Sequence, residues 1–288
     1  MSLLSLNTAL TEAVGQLPNS DTPRLDAEVL LCHVLGVARS YLYAWPEKIL
    51  TAHQSAQFQA LLARRAQSEP IAYLTGRKEF WSLELQVTEN TLIPRPETEL
   101  LVEQALARLP HDSEAQLIDL GTGTGAIALA IATERPHCRV LATDKSAAAL
   151  KVAQANAIRL GLHQVEFVLS EWWAALADIK ATVIVSNPPY VAAYDPHLSQ
   201  GDVKSEPQSA LVAGVDGLAD IRQLIAQSFS HLLAGGWLLL EHGYNQAEAV
   251  RTLFEQYGYE AVTTYNDLAQ LPRVTAAHTV RKRPVCSL

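Results

Sequence analysis

Asn187-Pro188-Pro189-Tyr190 is the segment of this chain whose residue types could do chemistry most directly. The apolar run Val183-Ile184-Val185-Ser186 reads as a buried strand and leads straight into it. Two consecutive prolines lack backbone donors and restrict the turn, so the strand ends in a stiff corner. Open α/β sheets bind ligands at that end of their strands. The Asn187 side-chain oxygen and the Pro188 carbonyl can both accept hydrogen bonds, and an NH2 group has two hydrogens to give. Two fixed acceptors hold a planar amine or amide nitrogen with its lone pair aimed at an incoming methyl group. Tyr190 offers a flat face for a planar substrate. An amide nitrogen is a poor nucleophile because its lone pair is delocalised. Acceptors on its hydrogens restore electron density as the new bond forms and help one proton leave, so no histidine base is required. Taken alone, the segment also fits a plain proline-rich turn.

A second stretch carries a different signal. Leu117-Ile118-Asp119-Leu120-Gly121-Thr122-Gly123-Thr124-Gly125 ends a strand and opens a helix. Glycines there allow a sharp turn and let a ligand approach without a side chain in the way. The next strand ends in Asp144, whose carboxylate can accept from both hydroxyls of a ribose. Gly121, Gly123 and Ala126 also satisfy the relaxed dinucleotide fingerprint, so the loop alone leaves a nicotinamide-dependent oxidoreductase open. That reading gives Asn187 to Tyr190 nothing to do, and no Tyr-Lys or His pair offers hydride chemistry. Glycine loop, Asp144 and diproline corner, in this order on successive strands, favour methyl transfer.

The elements that must position these residues alternate. Strand-like apolar runs fall at 116–120, 138–143, 164–169, 181–186, 236–241 and 259–264, with a last one at 276–282 expected to complete the sheet edge. Helical stretches separate them at 125–134, 146–160, 218–233 and 245–257. Such alternation implies a mainly parallel sheet covered on both faces. Residues up to 77 read as a small helical bundle. Leu25, Val29, Leu30, Val34 and Leu35 fall at helical spacing, with Asp21 or Thr22 as N-cap and Pro23 just inside. A second amphipathic run covers 52–66, with Phe58, Leu61 and Leu62 on one face. Residues 80–96 read as a short hairpin with a turn at Glu89-Asn90, and a helix begins near Glu97. The segment 191–216 is a long loop, the kind that closes over a site.

Bulk composition excludes several classes. Over 288 residues, 49% apolar content supplies a core, and 18% charged residues are too few for a disordered chain. A net charge of -8 argues against a protein that grips bare duplex through many phosphates. Cys32, Cys138 and Cys286 are far apart, and no HExxH or Cys/His cluster occurs, so neither a metal nor a disulfide framework is expected. The longest uncharged run, 120–133, is too short and glycine-rich to span a bilayer, and the N-terminus lacks the pattern of a secretory signal. A cytoplasmic chain without a membrane partner is the expectation.

Together, the Asp119 to Gly125 loop and Asn187-Pro-Pro-Tyr190 resemble the class I methyltransferases that modify planar nitrogens. Within that group the chain is most similar to the peptide chain release factor glutamine methyltransferases. Three further stretches carry this narrower resemblance. They are Leu92-Ile-Pro-Arg-Pro-Glu-Thr-Glu99, Pro70-Ile-Ala-Tyr-Leu-Thr-Gly76 with Phe80, and Glu206-Pro207 with Ala210-Leu211 and Gly214 to Leu218. The resemblance implies an α/β fold of class I methyltransferase type, a Rossmann-like, mainly parallel seven-stranded sheet. It implies three parts: a helical partner-recognition domain at 1–77, a linking β-hairpin at 78–96, and a cofactor-binding domain at 97–288. The reaction it implies is methylation of the glutamine in the Gly-Gly-Gln tip of release factors, with S-adenosyl-L-methionine as donor and S-adenosyl-L-homocysteine as product. Under that reading Gly121, Thr122, Gly123, Thr124 and Gly125 approach the methionine end of the cofactor, Asp144 holds the ribose, and Trp172, rather than Trp173, lines the adenine side. Asn187 contacts both the cofactor's methyl and the substrate amide. Pro188, Pro189 and Tyr190 complete the substrate clamp, with Asn187, Pro188 and Tyr190 as the catalytic set. Arg95 and His242 read as structural. The chain is expected to act as a monomer on release factors, without stable nucleic-acid binding. The competing expectation is a methyltransferase for the exocyclic amine of adenine, which also presents an NH2 on a flat ring.

Overall fold

The computed structural model describes residues 4–112 and 114–280. The chain divides into two compact units, one running to Arg77 with Ser199–Ser205 added, the other made of Lys78–Leu198 and the chain from Glu206 onward.

The smaller unit is helical: α1 (Leu6–Gly15), α2 (Pro23–Leu35), α3 (Arg39–Ala44), α4 (Ala52–Ala66) and α5 (Ile71–Thr75). Thr51 and Gln54 close a reciprocal capping box at the start of α4, satisfying two backbone donors that the helix itself cannot pair. Thr22 does occupy the N-cap of α2, but its side chain caps nothing. Its hydroxyl turns to the Asp26 carboxylate, which also accepts from Arg65 at 2.7 Å. The buried stripe of α2 also differs from the expected one. Ala27, Leu30 and Leu31 are buried and Leu25 is exposed, because α1 and α4 cover the helix from the side on which Leu6, Leu10, Phe58 and Leu62 converge. Glu28 is buried on the same helix and is held by Arg24, Arg39 and Tyr43.

The larger unit opens with a hairpin, β1 (Arg77–Phe80) and β2 (Leu83–Gln86). Its turn is Trp81-Ser82, not Glu89-Asn90 as the spacing of prolines and polar residues suggests. Both turn residues adopt positive φ, 52° and 58°, the backbone of a tight two-residue hairpin turn that asparagine and glycine ordinarily supply. Glu99 offsets that strain by accepting the Trp81 backbone N–H at 2.8 Å, and Glu134 accepts its indole N–H at 2.9 Å. No local signal reports those partners, which are remote in sequence.

The main sheet follows: α6 (Glu99–Leu106), β3 (Gln116–Leu120), α7 (Ala126–Glu134), β4 (Arg139–Asp144), α8 (Ala147–Leu160), β5 (Glu166–Leu169), β6 (Ala181–Ser186), α9 (Ala219–Ser228), β7 (Leu232–Glu241), α10 (Ala247–Gln256), β8 (Glu260–Asn266) and β9 (Pro272–His278). The seven strands lie in the order β5-β4-β3-β6-β7-β9-β8. The first five are parallel, and β9 pairs antiparallel with both neighbours. Successive residues of β3, β6 and β7 enter opposite cores. Leu117, Val183, Val185 and Leu239 pack with α6 and α7, while Ile118, Ile184, Leu238 and Leu240 pack with α9 and α10. A sheet buried on both faces therefore reads as continuous apolar runs.

Two expectations are corrected here. The last apolar run does not end the sheet: β9 inserts between β7 and β8, its Val274 to Ala277 fully buried, and the more polar β8 takes the edge. Residues 281 and 282 of that run lie outside the described residues, as does Cys286. The helix expected over 218–233 ends at Ser228, because Leu232 already pairs with Ala181. Gly236 permits this approach, since a Cβ there would stand 2.9 Å from the Leu233 carbonyl and 3.1 Å from that of Ala181.

The loop 191–216 carries three single turns of 3-10 helix and is closed at its base by a parallel bridge between Val191 and Val212. Among the described residues no helix is long and apolar enough to cross a membrane, and no group of three His, Cys, Asp or Glu could hold a metal ion.

One buried side chain fastens the hairpin to the sheet domain. Asn156 of α8 accepts the Gln86 N–H at 2.7 Å and donates to the carbonyls of Gln86 and Thr124, both at 3.0 Å. It pairs with Gln86 as a neighbouring strand would. Asn156→Ala is expected to lower the unfolding free energy by about 2–3 kcal/mol, by leaving these groups without partners. A urea titration with an unmoved midpoint would refute this.

Candidate active site

The glycine loop takes its shape from the strand beside it. At the end of β3, the backbone N–H groups of Gly121 and Thr122 both donate to the Thr143 carbonyl of β4, at 2.9 and 2.8 Å. Gly121, Gly123 and Gly125 all have positive φ, which side-chain-bearing residues rarely adopt. At Gly125, a Cβ would also crowd Leu129 Cδ1 at 3.0 Å and Ala153 at 3.3 Å, so those side chains would have to give way. At Gly121, a Cβ would stand 3.4 Å from the Trp172 ring, filling space that the loop keeps open.

Asp144, the last residue of β4, is oriented by the loop opposite. One of its carboxylate oxygens accepts from Gly123 N–H at 2.9 Å and the other from Ser146 N–H at 2.8 Å. Each oxygen keeps a further lone pair for a ligand. Beneath the loop, Asp119 is fully buried. Thr122 donates its hydroxyl hydrogen to one Asp119 oxygen at 2.6 Å. Burial pushes the Asp119 carboxyl up to about 7, the Thr122 hydrogen bond opposing that rise.

Trp172 and Trp173 part company. Trp172 has a left-handed backbone, φ 49°, and its ring lies beside Gly121. The Asp220 carboxyl, pushed up by burial, lies near its side chain, which opposes that rise. Trp173 stacks on His231 with ring centroids 3.9 Å apart and forms part of the core.

The diproline corner lies at the same sheet edge. Ser186, ending β6, donates to the Leu120 carbonyl at 2.6 Å. Asn187 then donates through Nδ2 to Thr98 Oγ1 at 3.1 Å. Tyr190 turns its hydroxyl to Glu241 at 3.3 Å, and its carbonyl accepts from Gln246 at 3.0 Å. Glu241, the last residue of β7, is fully buried. Burial pushes its carboxyl up to about 7, against the nearby Thr98 and Tyr190 hydroxyls and the charge of Arg273. Burial, and the nearby Glu241, likewise push the Tyr190 phenol up.

Gly121, Gly123, Asp144, Trp172, Asn187 and Pro189 share one cavity of about 260 Å³. Thr122, Thr124, Gly125, Pro188 and Tyr190 do not line it. Thr122 caps Asp119, Thr124 offers its carbonyl to Asn156, Gly125 starts α7, and Pro188 is buried. Arg95 forms an ion pair with the buried Glu206 at 2.7 Å, and Pro207 beside Glu206 does line the cavity. His242 is buried, with both ring nitrogens engaged by Gly243 and Thr275 and its pKa lowered by burial.

Sequence reasoning missed Thr98, Ser146, Asn156 and Asp220, and it took Glu89-Asn90, which line the cavity together with Thr91 and Leu92, only for a turn. Thr98 sits where a helix cap would, and Asn156 sits mid-helix among alanines. Only Glu241 gave a readable sign, a carboxylate ending the apolar run Leu238-Leu239-Leu240.

Residues 8–76 match the PrmC N-terminal domain family, and residues 96–201 match the methyltransferase small domain family. The release factor glutamine methyltransferase of Escherichia coli K12 is 53% identical over 266 residues, 92% of this chain and 96% of that protein. The protein of the same name from Vibrio cholerae is 51% identical over 275 residues, 94% of this chain and 96% of its own length. A methyltransferase of known structure from Pyrococcus furiosus superposes with a TM-score of 0.53 at 17% identity, covering 76% of this chain and 97% of that one, a likeness of fold. With half of its residues shared across nearly the whole length of such relatives, on a sheet that brings glycine loop and diproline corner to one cavity, this chain belongs to the release factor glutamine methyltransferase family.

Proposed function

We infer that this protein methylates the side-chain amide nitrogen of the glutamine in the Gly-Gly-Gln motif of peptide chain release factors. The observation that carries the reading is the shared cavity: Asn187 and Pro189 line the same space as Gly121, Gly123 and Asp144.

The site suits S-adenosylmethionine. A carboxylate already oriented by two backbone N–H groups suits a ribose diol. The bare backbone at Gly121 leaves room between loop and Trp172, whose ring offers a flat face for adenine. When bound, the cofactor supplies an activated methyl on a positively charged sulfur. Gly121 and Gly123 would hold its amino-acid end and Asp144 its ribose.

The chain's own residues perform the rest by placement. The Asn187 side-chain oxygen and the Pro188 carbonyl accept the two hydrogens of the glutamine amide. The nitrogen is thereby fixed, its lone pair is drawn away from the carbonyl, and its departing proton has an acceptor. Tyr190 supports the corner from behind, through Glu241 and Gln246. Thr122, Thr124 and Gly125 hold the loop in shape rather than meeting the cofactor. The helical unit recognises the release factor, and the protein works in the cytoplasm as a monomer, without a stable nucleic-acid partner.

Incubation of a purified bacterial release factor with the protein and S-adenosylmethionine is expected to add a single methyl at the Gly-Gly-Gln glutamine, read by mass spectrometry. Methylation of duplex or RNA adenine instead would reverse the assignment. Asn187→Ala should lower turnover by roughly three orders of magnitude while cofactor affinity stays within about tenfold. Turnover near the native rate would remove Asn187 from the mechanism. Asp144→Ala should weaken S-adenosylmethionine binding by about tenfold or more in calorimetry, the loss expected when hydrogen bonds to a charged group disappear. An unchanged dissociation constant would exclude the ribose contact. Trp172→Ala should also weaken the cofactor by about tenfold, whereas Trp173→Ala should act on stability and leave affinity within about twofold. The reverse pattern would exchange the two roles.

A further inference from the structure

Two stretches wall the cavity without belonging to the glycine loop or the diproline corner. Glu89 to Leu92, between the hairpin and α6, form one, and Pro207, Ser209 and Ala210, on the returning limb of the loop 191–216, form the other. Neither is part of the sheet. Each closes on itself. The Thr91 N–H donates to the Thr88 carbonyl at 3.0 Å, and the Ala210 N–H to the Pro207 carbonyl at 2.9 Å. Such bonds shape a turn but do not set its distance from another.

An ion pair joins the two stretches within the larger unit. Arg95, three residues beyond Leu92, donates through Nη2 to Glu206 at 2.7 Å, and Glu206 immediately precedes Pro207. Neither side chain lines the cavity. The Glu206 side chain is fully buried, and 27% of the Arg95 side chain is exposed. Pro94 and Pro96 flank Arg95, whose backbone is extended, φ -99° and ψ 142°, so the guanidinium reaches out from a stiff base. A carboxylate taken out of water without a cation is strongly unfavourable. A buried pair adds little net stability over apolar side chains of similar size. What it supplies is direction, a charge-assisted hydrogen bond from a rigid planar donor. Beyond the limb, the Val191 N–H donates to the Leu211 carbonyl at 2.8 Å. The limb 207–210 is thus held at both ends, by Val191 after the diproline corner and by Arg95 after the 89–92 turn.

We propose that Arg95 and Glu206 are positioning residues for the cofactor: by fastening the 207–210 limb to the 89–92 turn, they keep the cavity closed around S-adenosylmethionine. The proposal rests on the reading of the cavity given above. The pair acts through Leu92 and Pro207 and need not touch the cofactor itself. Without the guanidinium, Glu206 is left charged and dry. The limb relieves this by turning the carboxylate to water, which draws Pro207 away from the cavity.

The test is calorimetry of S-adenosylmethionine binding to the full chain, native and as Arg95→Met, Glu206→Gln and the double variant. Arg95→Met should raise the dissociation constant by about fivefold or more, with stoichiometry near one site per folded chain. The double variant should stay within about twofold of Arg95→Met, because two residues that act as one contact do not lose it twice. A smaller change in Arg95→Met overturns the proposal. So does a lower stoichiometry at native affinity, which marks a folding defect alone, or losses that multiply in the double variant. If Arg95→Met does not fold, Glu206→Gln, which keeps the shape, is judged instead. It should weaken binding by about threefold or more, and a smaller change overturns the proposal. Asp144→Ala serves as the control. Absence of binding by the native protein removes the underlying reading. Native affinity in Arg95→Met beside a weakened Asp144→Ala removes the positioning role alone.

Discussion

Ser186 donates its hydroxyl hydrogen to the Leu120 carbonyl at 2.6 Å, just where β3 and β6 reach the end of their shared ladder. That contact extends a register in which Ile118 faces Ile184 and Asp119 faces Val185. The next residues along the two strands are therefore Gly121 and Asn187, side by side. Parallel pairing brings carboxyl ends to one edge, and a shift by a residue would send every alternating side chain into the wrong core. Both features of the site depend on this register, because it sets them beside each other at one edge of the sheet. β4 and β6 flank β3 on opposite sides, so the sheet's direction of growth reverses at β3, the place where open α/β sheets form a crevice.

Two buried carboxylates lie one layer below the cavity. Asp119 lies under the glycine loop and Glu241 under the diproline corner, and burial pushes each up to about 7. Charged or half-neutralised groups in such places cost stability. Each is tied to a hydroxyl that belongs to the site's framework, Thr122 in one case and Tyr190 in the other. Residues that do not line the cavity thus decide how those that do are held, and the apolar cores on the two faces of the sheet keep water away from both.

Much of the larger unit was legible because its signals are local. An apolar run bounded by polar turns marks a strand whichever neighbours it finds, and the runs over 116–120 and 181–186 coincide with β3 and β6. The stretch 52–66 coincides with α4, since a capping box and a one-sided apolar face are both complete within the helix. The hairpin was displaced because its turn uses Trp81 and Ser82, which no turn preference favours, under the hold of Glu99 and Glu134. The last run was put at the sheet edge because chain order says nothing about insertion. β9 enters between two earlier strands, and the sign it left was a denser burial pattern than that of β8.

What the sequence by itself determined was the chemistry available: one glycine-freed loop beside a carboxylate, and a rigid corner carrying an amide oxygen. These are properties of residue type and near neighbours, fixed by sterics and donor count before any folding. What only the tertiary structure decided was company and orientation. Trp172 rather than Trp173 faces the cavity because the backbone turns left-handed at the first and the second is stacked on His231. Tyr190 points to Glu241 rather than into the cavity, and Asn187 meets Thr98 across 89 positions of chain. Such pairings arise from strand order and register, which are set by the burial of the whole sheet and leave no mark in the spacing of the residues they join.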